Sequence, residues 1–103
     1  MKTTLVKAPQ QGFLRLLLSN LRALERLPVE SPKWGAVGLV QAPLIDLYWA
    51  ADAAEKASPV TVALVQGSCP QHTQMLAIFG KQADVAAALA KIRENRPGPG
   101  PRR

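Results

Sequence analysis

The sequence predicts an α/β (α+β) domain built around one sheet, with its elements in the order β-α-β-α-β-β-α. Three observations predict it. Apolar, β-prone runs alternate along the chain with stretches whose apolar residues recur at helical spacing. Proline and glycine fall between these stretches, at Pro9, Pro28, Pro43, Pro59 and Gly80, and mark their ends. At 103 residues the chain suffices for one domain with a modest core, whose stability is expected to depend partly on assembly. Strands joined by helices, plus one hairpin, imply a single sheet with helices on one face, leaving the other face to be covered or partnered.

The elements follow in order. Thr3-Thr4-Leu5-Val6-Lys7-Ala8 is a short β-prone run that stops at Pro9. From Gln10 the spacing turns helical, with Phe13, Leu14, Leu17, Leu18, Leu21 and Leu24 in one stripe and Arg15, Asn20, Arg22 and Glu25 largely outside it. Residues 29–33, beyond Pro28, read as a connecting loop. Ala36-Val37-Gly38-Leu39-Val40 is continuously apolar, as a strand buried on both faces is. Pro43 suits the first turn of a helix from about Leu44 to Lys56, with Leu44, Leu47, Tyr48, Ala51 and Ala54 along one face. Of Tyr48 and Trp49, one is expected to pack inward and the other to sit at a subunit contact. Ser58-Pro59 breaks the chain before Val60-Thr61-Val62-Ala63-Leu64-Val65, the strongest strand signal. After the loop Gly67-Ser68-Cys69-Pro70, Met75-Leu76-Ala77-Ile78-Phe79 returns as a strand that ends at Gly80. A last helix from about Gln82 to Arg93 turns Val85, Ala88, Leu89 and Ile92 inward, and Asp84 suits the positive end of its dipole. One domain over residues 1–93 is expected, followed by a disordered Pro/Gly/Arg tail over residues 94–103.

Composition excludes several functions. Much of the net charge of +6 lies at the end of the chain, where Arg93, Arg96, Arg102 and Arg103 face only Glu94. No aromatic residue interleaves with these arginines to stack on bases, so a solvated tail is expected rather than a nucleic-acid arm. Residues 1–8 lack the apolar core and cleavage site of a signal peptide. Arg15 interrupts one candidate membrane span, and Gln41, Pro43 and Asp46 interrupt the other. With a single cysteine and no intramolecular disulfide, the chain is expected to be cytosolic and soluble. Catalysis is not expected. The sequence has no nucleophile elbow and no phosphate loop, and Asp46 and Asp52 stand six apart on one helix, so they point to different sides. A nucleophilic Cys69 paired with His72 would need a third orienting group, and none is evident.

The lone cysteine is the residue with the most chemistry to offer. One thiolate cannot hold a metal cluster, which ordinarily takes four soft ligands, but rotational symmetry brings copies of one loop together at an axis. The residues themselves leave two readings open, a metal ligand shared among copies or a free exposed thiol. His72 stands at Cys-x-x-His spacing, and it too reads either as an accessory ligand or donor, for zinc as well as iron, or as a polar loop residue facing solvent.

A larger pattern joins these pieces. Gly35, an apolar strand, a helix carrying Ala50-Ala51-Asp52-Ala53-Ala54-Glu55-Lys56-Ala57, a strand, the Gly67-Ser68 loop, a strand and an alanine-rich helix follow one another from Gly35 to Ile92. This series, a little over half the chain, resembles the bacterial microcompartment (BMC) shell domain. The strand and helix that usually close that domain are replaced by the Pro/Gly tail, and their counterparts stand at the front, as Thr3–Ala8 and Gln10–Glu25. The chain therefore resembles the circularly permuted subclass, and within it the glycyl-radical type of microcompartment. Permutation is physically easy because domain termini often lie close together.

The resemblance implies a ferredoxin-like-related antiparallel four-stranded sheet with helices. It implies a structural, non-enzymatic subunit that forms a homohexamer and tiles with other shell proteins into a sheet, without nucleic acid or membrane. It implies a central pore lined by Gly67, Ser68, Cys69 and Pro70, and a tile edge at Lys56. A cysteine in that loop resembles the shell proteins proposed to carry an iron–sulfur cluster, here with Cys69 as the metal ligand, of the [4Fe-4S] type if present. Electrons rather than only small molecules would then cross the shell. Because the chain begins almost at its first strand, no N-terminal barrel over the pore is expected. Two other functions stay open, a free cytosolic metal or redox carrier and a small basic nucleic-acid-binding protein.

Overall fold

A computed structural model of the chain describes residues 1–22, 34–65 and 73–95. Its elements come in the expected order: β1 (Lys2–Lys7), α1 (Gln11–Leu18), β2 (Ala36–Pro43), α2 (Leu44–Ala57), β3 (Thr61–Val65), β4 (Thr73–Gly80) and α3 (Gln82–Asn95). The four strands form one sheet in the order β1-β2-β4-β3, and every neighbouring pair is antiparallel.

This order explains the sequence pattern. β2 and β4 are the central strands, so Ala36, Val37, Val40 and Ala42 of β2 and Leu76, Ala77, Ile78 and Phe79 of β4 are all buried, on alternate faces. One face carries Ala36, Val40, Leu76 and Ile78 against Leu47, Ala50 and Ala54 of α2 and Val85, Ala88, Leu89 and Ile92 of α3. Gly38 sits beneath α3. A Cβ at that position would lie 3.0 Å from Val85 Cγ1 and 3.1 Å from Leu89 Cδ1, so the missing side chain is what lets the helix settle on the strand.

The second face corrects the expectation of helices on one side only. Leu17 and Leu21, with Phe13, Leu14 and Leu18 beside them, pack with Val37, Ala63, Val65, Ala77 and Phe79. The α1 segment thus covers the face that α2 and α3 leave bare. Central strands apolar on both faces must be screened from water on both, and here the chain supplies both layers itself. Trp34 adds a tilted ring contact to Phe79, with centroids 5.6 Å apart. The α1 helix stops at Leu18, well before the Glu25 expected from the apolar stripe. Ser19 Oγ and Asn20 Nδ2 both donate to the Leu16 carbonyl, at 2.7 and 3.0 Å, and residues 19–21 continue as turn and bend. Leu24 and Glu25 lie outside the described residues, as does the connecting loop of residues 29–33.

Two smaller differences concern the other helices. The inward residues of α2 are Leu47, Ala50 and Ala54, while Tyr48 points to solvent and Trp49 is half-buried against the core. The alanines set this rotation, because only small side chains let the helix lie close to the sheet and α3 together. The α3 helix runs on through Glu94 to Asn95, whose Nδ2 donates to the Lys91 carbonyl at 3.2 Å. Its last turn lies beside the start of β1, where Arg93 Nη1 donates to Thr3 Oγ1 at 3.3 Å. That contact joins residues ninety positions apart and places the two extremities of the domain side by side, as the permuted arrangement requires. Residues 96–103 of the expected tail lie outside the described residues. No helix among the described residues is long and apolar enough to cross a membrane.

Candidate functional site

The sequence placed its chemistry on the β3–β4 hairpin, and the structure defines the mount of that hairpin. β3 and β4 pair from Thr61↔Phe79 to Val65↔Met75. Gly67, Ser68, Cys69, Pro70 and His72 lie in the connection of residues 66–72, outside the described residues. Both ends of the connection are fixed. Val65 is buried in the layer beneath α1, and Thr73 opens the central strand β4 in register with Pro43 of β2. Gln74 and Met75 pair with Ala42 and Gln41, and Gln41 also pairs with Lys2 of β1. The connection therefore springs from the end of the sheet where β2 stops and α2 begins. A loop carried by a central strand, with packed strands on both sides, has a rigid base, which a ligand loop needs.

The second expected site stands at the other end of α2. Lys56 lies in the last turn of this helix and donates to Asp52 Oδ2 at 2.7 Å, an i, i+4 pair with both side chains exposed. The hydrogen bond to Asp52, and then its charge, hold the Lys56 ammonium above the ordinary lysine value of 10.5. From Leu44 to Lys56 the helix rises about 18 Å at 1.5 Å per residue. The strand ends that carry the hairpin connection, Val65 and Thr73, and Lys56 thus lie at opposite ends of one rigid rod. The fold separates them rather than bringing them together.

Sequence reasoning missed a third feature, a cleft of about 280 Å³ between α2 and α3, walled by Trp49 and Ala53 and rimmed by Asp52, Lys56, Lys91 and Asn95. The i, i+7 spacing of Trp49 and Lys56 and the i, i+4 spacing of Lys91 and Asn95 put each pair on one helix face. Only the packing of the two helices brings the pairs together.

Among the described residues no three His, Cys, Asp or Glu side chains converge to hold a metal ion. The chain has one cysteine and one histidine in all. Its donor set therefore suits a cluster only where several copies each contribute a thiolate, and a single subunit does not carry enough soft ligands.

No protein-family model matches the chain, and no curated protein matches it. Solved structures do. The GrpU microcompartment shell protein from Pectobacterium wasabiae, in ligand-free form, is 33% identical, with a TM-score of 0.72 over 89% of this chain and 99% of that one. The ligand-free GrpU microcompartment shell protein from Clostridiales bacterium 1_7_47FAA is 35% identical, with a TM-score of 0.66 over 90% of this chain and 88% of that one.

Proposed function

We propose a role that proceeds from one point already shown: this chain belongs to the family of GrpU microcompartment shell proteins. It is a shell subunit with a structural, non-enzymatic role. The observation that carries this is the likeness in sequence and fold over about nine-tenths of the chain.

In that role the subunits form a homohexamer, and hexamers tile edge to edge into the wall of a bacterial microcompartment. The hairpin connection lines a central pore through Gly67, Ser68, Cys69 and Pro70. Three things support this: the connection is mounted rigidly at one end of the sheet, Lys56 lies at the far end of α2, and a ring needs one element near its axis and another at its rim. Lys56 then serves the contact between tiles. Measured mass tests the ring, which should be six times the 11.1 kDa chain. A particle of single-chain mass removes the shell reading.

At the pore axis, Cys69 from several copies would hold an iron–sulfur cluster, with Ser68 and loop backbone N–H groups as the donors available to it and Pro70 to stiffen the loop. When bound, the cluster supplies one-electron transfer across the wall. Anaerobic purification with a visible spectrum and an iron assay tests it. Cys69→Ser should remove iron and colour and leave the ring intact. Iron content unchanged by that substitution assigns the metal elsewhere, and a colourless native ring leaves Cys69 as a pore-lining thiol.

A further inference from the structure

The described surface carries an apolar stripe that the fold itself does not use. Ile45 and Tyr48 of α2 are 78% and 65% exposed, among the most exposed large apolar side chains. Spaced i, i+3, they continue at i+7 and i+10 into the exposed Asp52 and Glu55, so the four residues form one straight face. The face carries Asp52 and Glu55 beside Lys56, which pairs with Asp52, and so remains acidic in a chain of net charge +6. Asp46 points to another side of the helix. On the opposite side of the sheet, α1 exposes Leu16 at 68% next to an exposed Arg15. The α1 segment, residues 11–22, contains Arg15 and Arg22 and no acidic residue. Each of the two surface strips exposes apolar side chains, and the charges beside them are opposite.

Resting on the ring reading above, we propose that the Ile45–Tyr48–Asp52–Glu55 face of α2 docks on the Arg15–Leu16 surface of a second copy of this chain, as the head-to-tail contact that closes the ring. Charge complementarity carries the choice of partner, because an acidic apolar face on a basic protein fits a second copy's basic apolar face. Position supports it twice. In a cyclic ring each copy offers different faces to the neighbours ahead and behind, and α2 and α1 cover opposite faces of the sheet. The stripe also begins at Ile45, two residues from Pro43, at the sheet end that mounts the hairpin connection, and runs outward toward Lys56. A contact between wedge-shaped neighbours runs in that direction, from axis to rim.

Mixing two variants tests the proposal. Tyr48→Asp damages only the α2 face and Leu16→Asp only the α1 face. Both sites are exposed on the subunit, so each variant should keep the native far-ultraviolet circular dichroism spectrum, and Tyr48→Ser with Leu16→Ser serves as the pair if an aspartate variant fails to fold. Native mass spectrometry should give a ring for the native chain and single chains for each variant alone. An equimolar mixture should give a species of two chains and nothing larger, since one sound contact joins two copies and leaves a damaged face at either end. A variant that still forms rings, or a mixture that stays single-chain, overturns the proposal. A native chain that is itself single overturns the ring reading before any variant is measured.

Discussion

Gly38→Ala adds one methyl at a close crossing of α3 over the central strand β2. The new Cβ would stand 3.0 Å from Val85 Cγ1 and 3.1 and 3.2 Å from the two Leu89 methyls. Ordinary carbon contacts sit near 3.5–4.0 Å, so all three neighbours must move. Val85 and Leu89 are themselves fully enclosed by the core and cannot swing into solvent. Overpacking of this kind costs about 1–3 kcal/mol. Against it, replacing glycine restricts the unfolded chain and returns about 0.4–1 kcal/mol where the strand backbone accepts alanine. The expected result is a net loss of about 1–2 kcal/mol, or about 4–8 °C in Tm per kcal/mol for a domain of this size. Leu89→Ala alone should cost about 2–5 kcal/mol by opening a cavity. In the double variant the methyl added at position 38 partly fills that cavity, so the combined loss should fall short of the sum by about 0.5–3 kcal/mol. Urea titrations followed by far-ultraviolet circular dichroism, at one fixed chain concentration, measure all four proteins. A Gly38→Ala protein as stable as the native one, or strictly additive losses, would refute the claim that α3 rests on the bare glycine.

Leu17→Ala, which empties the α1 cover over Val37 and Phe79, should cost about 2–5 kcal/mol in the same assay, whereas a substitution on a merely peripheral helix would be nearly silent. Lys56→Ala should leave the melting curve almost unchanged, because an exposed ion pair adds little, yet reduce sheet formation seen by electron microscopy. Titration of the Lys56 ammonium by nuclear magnetic resonance should give a midpoint above 10.5, and Asp52→Asn should bring it back down. Because the folded-state pKa is raised, the pair's small stabilisation is fully present below 10.5 and fades as pH climbs through the folded midpoint. A melting curve that loses stability near pH 7 instead would point to another group.

The element order was legible because each run announces its own period, and the continuously apolar β2 run marked one of the two strands that turn out to be central. Other features depend on residues far apart in sequence. The stripe from Phe13 to Leu21 says that α1 has an inward side, but not which face of the sheet it meets. That is decided by the bare layer of Val37, Ala77 and Phe79, which only the register exposes. Tyr48 shares helical spacing with Leu44 and Ala51, and its outward turn follows from alanines packing against α3, a helix far along the chain. The Asp52–Lys56 pair stands at i, i+4 and could be read directly. The cleft beside it needs two helices at once, so a scan along one chain passes over it. The site residues Gly67, Ser68, Cys69 and Pro70 were chosen from residue type and family likeness, and the described structure adds only where their loop is anchored.

The Arg93–Thr3 contact has a practical side. Both ends of the domain depart from the same corner of the subunit, on the side of the sheet where the β3–β4 connection is rooted. A reporter or cargo tag spliced ahead of Lys2 and one spliced after Asn95 would start as neighbours on the subunit surface. Choosing one terminus over the other would therefore do little to change where a passenger leaves the subunit.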